Sequence, residues 1–427
     1  MSSPLTVSRS AAMYVGALLG PGLLMLPGLT ASLAGPASVL TWAALLVLSG
    51  LLGWVFAALG IHVPSATGVR GYVALGLGRG ASAATSWTFL AGIVAGTPIV
   101  CLIGGGYVAD LAGAGRVTAC LIALAIMLAV LAITSRGLRT SSTIQFGLVL
   151  LLLAVVAVSV VGGAFAARAE HWTPFAPHGW TAIGTAAAPL MLSFVGWEAA
   201  APLTSRLTDP RHQLPRIVAI TLTVTSLLYL SLAAVTVAAL GPDAGSSTPV
   251  AKLLALAIGP AGVVLAAASA VVLTLGTVNA YLSGAATLAH SLTPRVDHSP
   301  DTPPRWLNLA ILASGGVLFG LLGAGALELE SLVSVPSAMF LVVYLGCTAA
   351  AWKLLSGKVR IAAAVAFVLV LAIVAFTATA ATPAVAVALL AWLNEHRATR
   401  GTRDRSHPRP SARSSADRPA RCPAPRT

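Results

Sequence analysis

Charge is what this chain has least of: Asp, Glu, Lys and Arg make up 9% of its 427 residues, while hydrophobic residues make up 57% and the mean hydropathy is +0.90. A soluble domain carries roughly 25% charged residues, so a water-exposed globular fold is excluded and lipid is the solvent. Chemistry-bearing motifs are missing too. No apolar stretch holds His-Glu-x-x-His, no two supply an aspartate pair, and the eight histidines fall in loops, at helix ends or in the tail, which speaks against an intramembrane enzyme. Gly-x-x-x-x-Gly-Lys-Ser/Thr is absent, so ATP is not the expected energy source. Of the four cysteines, Cys101, Cys120 and Cys347 lie in apolar runs and Cys422 in the tail, with no metal-ligand or disulfide spacing, so free thiols are expected. A channel would want rings of charge along a pore, and one deep glutamate does not make one. The chain is therefore expected to be no enzyme and to need no cofactor; a receptor or scaffold stays open as the alternative to a transporter.

What is present is a succession of long apolar runs. A span needs about 20 apolar residues to cross the hydrocarbon core. Runs bounded by Gly, Pro and charge predict spans at 11–33, 37–60, 84–109, 116–134, 143–166, 182–204, 216–240, 260–291, 306–326, 331–353, 359–378 and 380–396. The fold class is thus an all-α polytopic membrane protein of about twelve transmembrane helices. Residues 1–10 read as a polar N-terminus before a retained first helix, and residues 397–427, rich in Arg, Ser and Pro, as a disordered basic tail attracted to anionic lipid headgroups. Two further apolar stretches are not expected to cross: His62 to Ser82 suits a loop with a short surface helix, and Thr248 to Ile258 an external helix over the entrance.

The net charge of +13 does not imply nucleic acid, because the basic residues sit in loops and the tail rather than on one folded face. They report topology instead. Alternate loops hold twenty-two of the 25 Lys and Arg, leaving only Arg116, Arg168 and Lys252 on the other side, which predicts cytoplasmic termini.

The informative feature is where helices break. Gly16 to Gly28 places Gly20, Pro21, Gly22 and Pro27 in the middle of the first span, and each proline removes a helix hydrogen bond. Pro189 through Gly196 to Pro202 repeats the theme in the sixth span and carries Glu198, the only acidic residue deep inside a span. One glycine-rich run would be read as close helix packing. A matched pair at corresponding positions of two halves points to a transporter binding site, where freed peptide groups line a cavity. The spacing implies two five-helix repeats, 11–166 and 182–353, the second inverted because five is odd, with two additional helices at 359–396. Glu198 marks an ion or substrate path, or else a protonated cross-link between helices.

With these residues in view, the chain resembles the superfamily of amino acid, polyamine and organocation transporters, and within it the bacterial methionine and branched-chain amino acid exporters. Gly20-Pro21-Gly22-Leu23-Leu24-Met25-Leu26-Pro27 is similar to the family's Gly-Ser/Thr-Gly-apolar-apolar-x-x-Pro, and Phe194-Val195-Gly196-Trp197-Glu198 to its Phe-x-Gly-apolar-Glu. Thr208 to Arg216 looks like the Asn-Pro-x-Arg-x-x-Pro loop, and Pro64 to Tyr72 loosely resembles Pro-x-x-Gly-Gly-x-x-x-Tyr. The resemblance covers residues 10 to 400 and implies a five-plus-five inverted-repeat fold with discontinuous helices one and six, in a bacterial-type inner membrane. It further implies that Gly20, Pro21, Gly22 and Leu23 hold the carboxylate of an amino acid and that Phe194, Val195 and Gly196 hold its amine. Glu198, beside Trp197, takes a position linked to proton coupling and gating.

Two departures bear on the substrate. Pro21 stands where the family has Ser or Thr, which removes a hydroxyl and an N–H from the cradle. Leu192 stands where some members carry a Trp, so a cationic ligand of the arginine type is not expected, and a neutral aliphatic amino acid fits better. A proton is the expected coupling ion. Sodium is the alternative, with Thr274, Thr277 and Ser283 as hydroxyl candidates that also suit plain helix contacts.

Overall fold

The computed structural model describes residues 7–63, 68–138, 142–199, 207–293, 302–377 and 380–406. Among these, nine helical runs are long and apolar enough to cross a membrane. They correspond to the second to fifth and the seventh to eleventh predicted spans. The first and sixth are broken, and the twelfth closes the chain.

The first span is split into α1 (Val7–Leu18) and α2 (Gly22–Ala34). Pro21 has no N–H to return to the Ala17 carbonyl, so the ladder stops, and Gly20 N–H turns back on Leu18 O at 3.1 Å. The second span is α3 (Ser38–His62). A short helix, α4 (Val69–Leu77), follows, with Tyr72 and Val73 buried on one face and Leu75 exposed on the other. The third span, α5 (Arg79–Leu111), begins five residues ahead of its predicted edge. α6 (Arg116–Ser135) and α7 (Ser142–Phe165) complete the first half.

In the sixth span α8 (Ala182–Leu190) tightens into a 3₁₀ turn at Met191–Phe194, runs extended at Val195, and reverses at Gly196 before a second 3₁₀ turn at Trp197–Ala199. Residues 200–206, the rest of that span, lie outside the described residues, as do 64–67 of the loop motif. Then come α9 (Pro210–Leu240), the short α10 (Pro249–Ile258), α11 (Pro260–Leu292), α12 (Arg305–Gly323), α13 (Leu329–Leu354), α14 (Gly357–Phe376) and α15 (Thr382–Ser406). The last helix corrects one boundary: the tail was expected to lose structure at Arg397, but no proline interrupts the helix before Pro408, and it continues to Ser406. The remainder of the tail lies outside the described residues.

Packing follows the repeat. α1 lies against α9 and α7, and α8 against α3 and α13, the same pairings shifted by five spans. α5 against α13 likewise answers α11 against α7, while the α3–α9 and α5–α11 pairs map onto themselves. Hydroxyls buried in the helices are mostly returned to their own backbone one turn back, as at Thr97 to Ile93 O (2.8 Å), Ser159 to Val155 O (2.7 Å) and Thr236 to Leu232 O (2.7 Å). That removes the cost of a polar group in lipid. Large apolar side chains such as Leu121, Leu227, Ile361 and Val368 face outward, where a bilayer is their solvent.

Candidate functional site

The two breaks meet. Gly196 has φ +148°, and a methyl built there would lie 2.7 Å from the Ala17 carbonyl oxygen, the acceptor that Pro21 leaves without its helical donor. Only glycine permits both the backbone angle and the approach. Tyr229 on α9 spans the junction, its hydroxyl within 2.9 Å of Leu18 O and 2.8 Å of Ser193 O, one carbonyl from each break. Its ring is wedged edge-on against Trp42 (5.1 Å) and Phe194 (5.3 Å).

Beside this junction is a partly open cavity that both breaks line. The first span contributes Leu18, Gly20, Pro21 and Gly22, and the sixth Leu192, Ser193 and Val195. α5 supplies Gly92, Ile93, Gly96, Thr97 and Val100, α11 supplies Thr277, Val278 and Tyr281, and α13 supplies Phe340. No Asp, Glu, Lys, Arg or His is among the lining residues.

Polarity in the cavity comes from backbone and from hydroxyls. Gly22 opens α2, and among the described residues its N–H has no partner. The positive end of that helix therefore faces the cavity, where a carboxylate is favoured. Ser193 stands beside it: its side chain is 95% buried, its Oγ has no partner among the described residues, and a methyl at Gly22 would lie 3.4 Å from it. This hydroxyl belongs to the opposite break from the one missing at Pro21.

Of the residues singled out from sequence, Gly20, Pro21, Gly22, Leu192, Val195 and Thr277 line the cavity. Leu23, Phe194 and Trp197 do not: they are buried in the surrounding core, where Trp197 donates from Nε1 to Ser49 Oγ at 2.8 Å. Phe194 O lies 3.3 Å from the Tyr344 hydroxyl, as the longer alternative to the Glu198 carboxylate for its one proton. Glu198 lies behind the break. Its Oε2 accepts from Gly196 N–H at 3.0 Å and from the Tyr344 hydroxyl on α13 at 2.9 Å. The carboxylate thus holds the turned peptide and does not project into the cavity. Thr274 directs its hydroxyl at Val100 O (3.4 Å) on α5, and Ser283 bonds back to Asn279 O (2.8 Å), so of the three hydroxyl candidates only Thr277 borders the cavity.

Sequence reading missed the α5 wall, the cavity residues Tyr281 and Phe340, and the two bracing tyrosines Tyr229 and Tyr344. Gly92 and Gly96, one turn apart beside Pro98, were a visible signal on α5. The tyrosines carried none, because a phenol in an apolar run looks the same whether its hydroxyl is used or not.

Comparison with known proteins adds a separate line. A family model described as amino acid permease matches residues 5–397. The amino acid permease YecA of Bacillus subtilis (strain 168) is 31% identical over 370 residues, covering 83% of this chain and 86% of the relative. The L-methionine/branched-chain amino acid exporter YjeH of Escherichia coli (strain K12) is 29% identical over 364 residues, covering 82% and 85%. The branched-chain amino acid permease BcaP of Bacillus subtilis is 25% identical over 241 residues, covering 52% and 51%.

Proposed function

Because this chain belongs to the amino acid permease family, we propose that it carries neutral aliphatic amino acids, such as leucine, isoleucine, valine or methionine, by alternating access with a proton as the coupling ion. The observation that carries the reading is the cavity: both breaks open into it, and no charged side chain lines it. A zwitterion needs opposite partners at its two ends and, for an aliphatic side chain, nothing charged beyond them. The Gly22 N–H at the start of α2, with the Ser193 hydroxyl beside it, suits the carboxylate. The carbonyls of the sixth-span break that remain uncommitted suit the ammonium group.

Relatives support the substrate class. One is named as an L-methionine/branched-chain amino acid exporter and another as a branched-chain amino acid permease, so the class recurs. Export is the direction proposed here, into the periplasm from a bacterial inner membrane with both chain termini in the cytoplasm, as the distribution of Lys and Arg argues. Rocking of one helix group against the other then exposes the site alternately to each face.

Counterflow is the direct test. Proteoliposomes loaded with unlabelled leucine should accumulate labelled leucine and methionine, and lysine should not compete; a receptor or scaffold would give no accumulation. The proton role rests on Glu198, whose bonds to Gly196 and Tyr344 tie its protonation to the shape of the sixth-span break. Glu198→Gln should flatten the pH dependence of net transport while exchange at fixed pH continues. An unchanged pH profile would remove the proton from the mechanism.

A further inference from the structure

With the ends of an amino acid held at the breaks, its side chain extends toward α5. There Gly92 and Gly96 stand one turn apart on one helix face. Small residues in membrane helices usually let a neighbouring helix approach, and Gly92 does so: a methyl there would lie 3.2 Å from the Phe340 ring and 3.4 Å from Met339 Cβ. Gly96 differs. A methyl there would meet only Pro336 Cβ, at 3.5 Å, an ordinary contact, and otherwise open space. The room at Gly96 is therefore not taken up by helix packing, and the residue lines the cavity. Neighbouring Thr97 commits its hydroxyl to Ile93 O at 2.8 Å, so this wall recognises shape rather than hydrogen-bonding groups.

We propose that Gly96 sets the upper size of the substrate side chain, a specificity-determining role that rests on the reading that a neutral amino acid is bound by its two ends at the breaks. A single methyl is enough to act. Cores have no slack to absorb one, and one methylene in an apolar pocket changes discrimination by about tenfold or more.

The test is competitive counterflow in proteoliposomes with alanine, valine, leucine, methionine and phenylalanine. Gly96→Ala should raise the apparent KM for leucine and methionine by about tenfold while alanine stays within about twofold. Ile93→Ala, which enlarges the same wall, should act in the opposite sense and improve phenylalanine relative to leucine. Gly106→Ala, on the same helix with open space around it, should leave the ranking as in the wild type. A shift of all five substrates by one common factor in Gly96→Ala, with Ile93→Ala also leaving their ranking unchanged, would overturn the size role while leaving amino acid transport intact. Failure of the wild type to exchange any of the five would overturn the underlying reading along with it.

Discussion

The two breaks do the same job by different means. In the first span the interruption is local: Pro21 ends α1 wherever the surroundings put it, and the chain repairs itself with short bonds from Gly20 N–H to Leu18 O and from Leu23 N–H to Gly20 O. In the sixth span nothing local compels the reversal at Gly196. Glu198, two residues on, accepts the Gly196 N–H, and the rest of the hold comes from outside: Tyr344 on the same N–H, Tyr229 on Ser193 O and Ser49 on Trp197. A break written into the chain tolerates its neighbours; a break borrowed from the tertiary structure depends on them.

That contrast is sharpest in the glycines. A methyl at Gly20 would find only Thr277 Cγ2, at 3.9 Å, whereas one at Gly196 would strike the Ala17 carbonyl from a left-handed backbone. Gly196→Ala is expected to abolish counterflow and to lower stability by about 1–3 kcal/mol. Gly20→Ala should fold normally, with any loss confined to substrate affinity. Thermal melting of both variants in detergent would measure the asymmetry, and equal melting temperatures would erase it.

A smaller effect is expected where the breaks share a partner. Tyr229→Phe keeps the ring contacts with Trp42 and Phe194 but removes the hydroxyl between Leu18 O and Ser193 O. A buried hydrogen bond contributes about 1 kcal/mol, so KM should rise several-fold for every amino acid alike, since the ends of the substrate are what the breaks hold. Selective loss of one substrate would place Tyr229 in the side-chain wall instead.

The smallest effect belongs outside both breaks and gives their baseline. Asp209 caps α9, and the His212 side chain bonded to it at 2.7 Å holds its carboxyl below the usual carboxylate range. A depressed carboxyl contributes stability that is present above its unfolded pKa and is lost as pH falls through the folded one. Asp209→Ala should therefore lower the melting temperature slightly at neutral pH, and the difference should fade in acid. A difference that persisted below the carboxylate range would mean that packing, not charge, is involved.

The sites of both breaks were legible in the sequence, because Pro21 and the Gly20, Gly22 and Gly196 positions declare a backbone constraint by residue type alone. Glu198 was legible as an anomaly of charge in an apolar run, and its bonds to Gly196 and to Tyr344 on α13 fit the cross-link alternative; that it lies behind the cavity was not legible. Leu23, Phe194 and Trp197 shared a motif with true lining residues and still faced the core, since neighbours along an irregular segment point in different directions.

Composition and run length determined by themselves that this is a polytopic membrane protein with paired interruptions, because solvation by lipid and loss of a proline N–H are properties of the residues and need no partners. Which wall the substrate side chain meets, and which tyrosines hold the freed carbonyls, was decided only by tertiary structure. Those depend on residues more than a hundred positions apart being brought within hydrogen-bond reach, as Tyr229 is to Leu18 and Tyr344 to Gly196, and no local pattern encodes that distance.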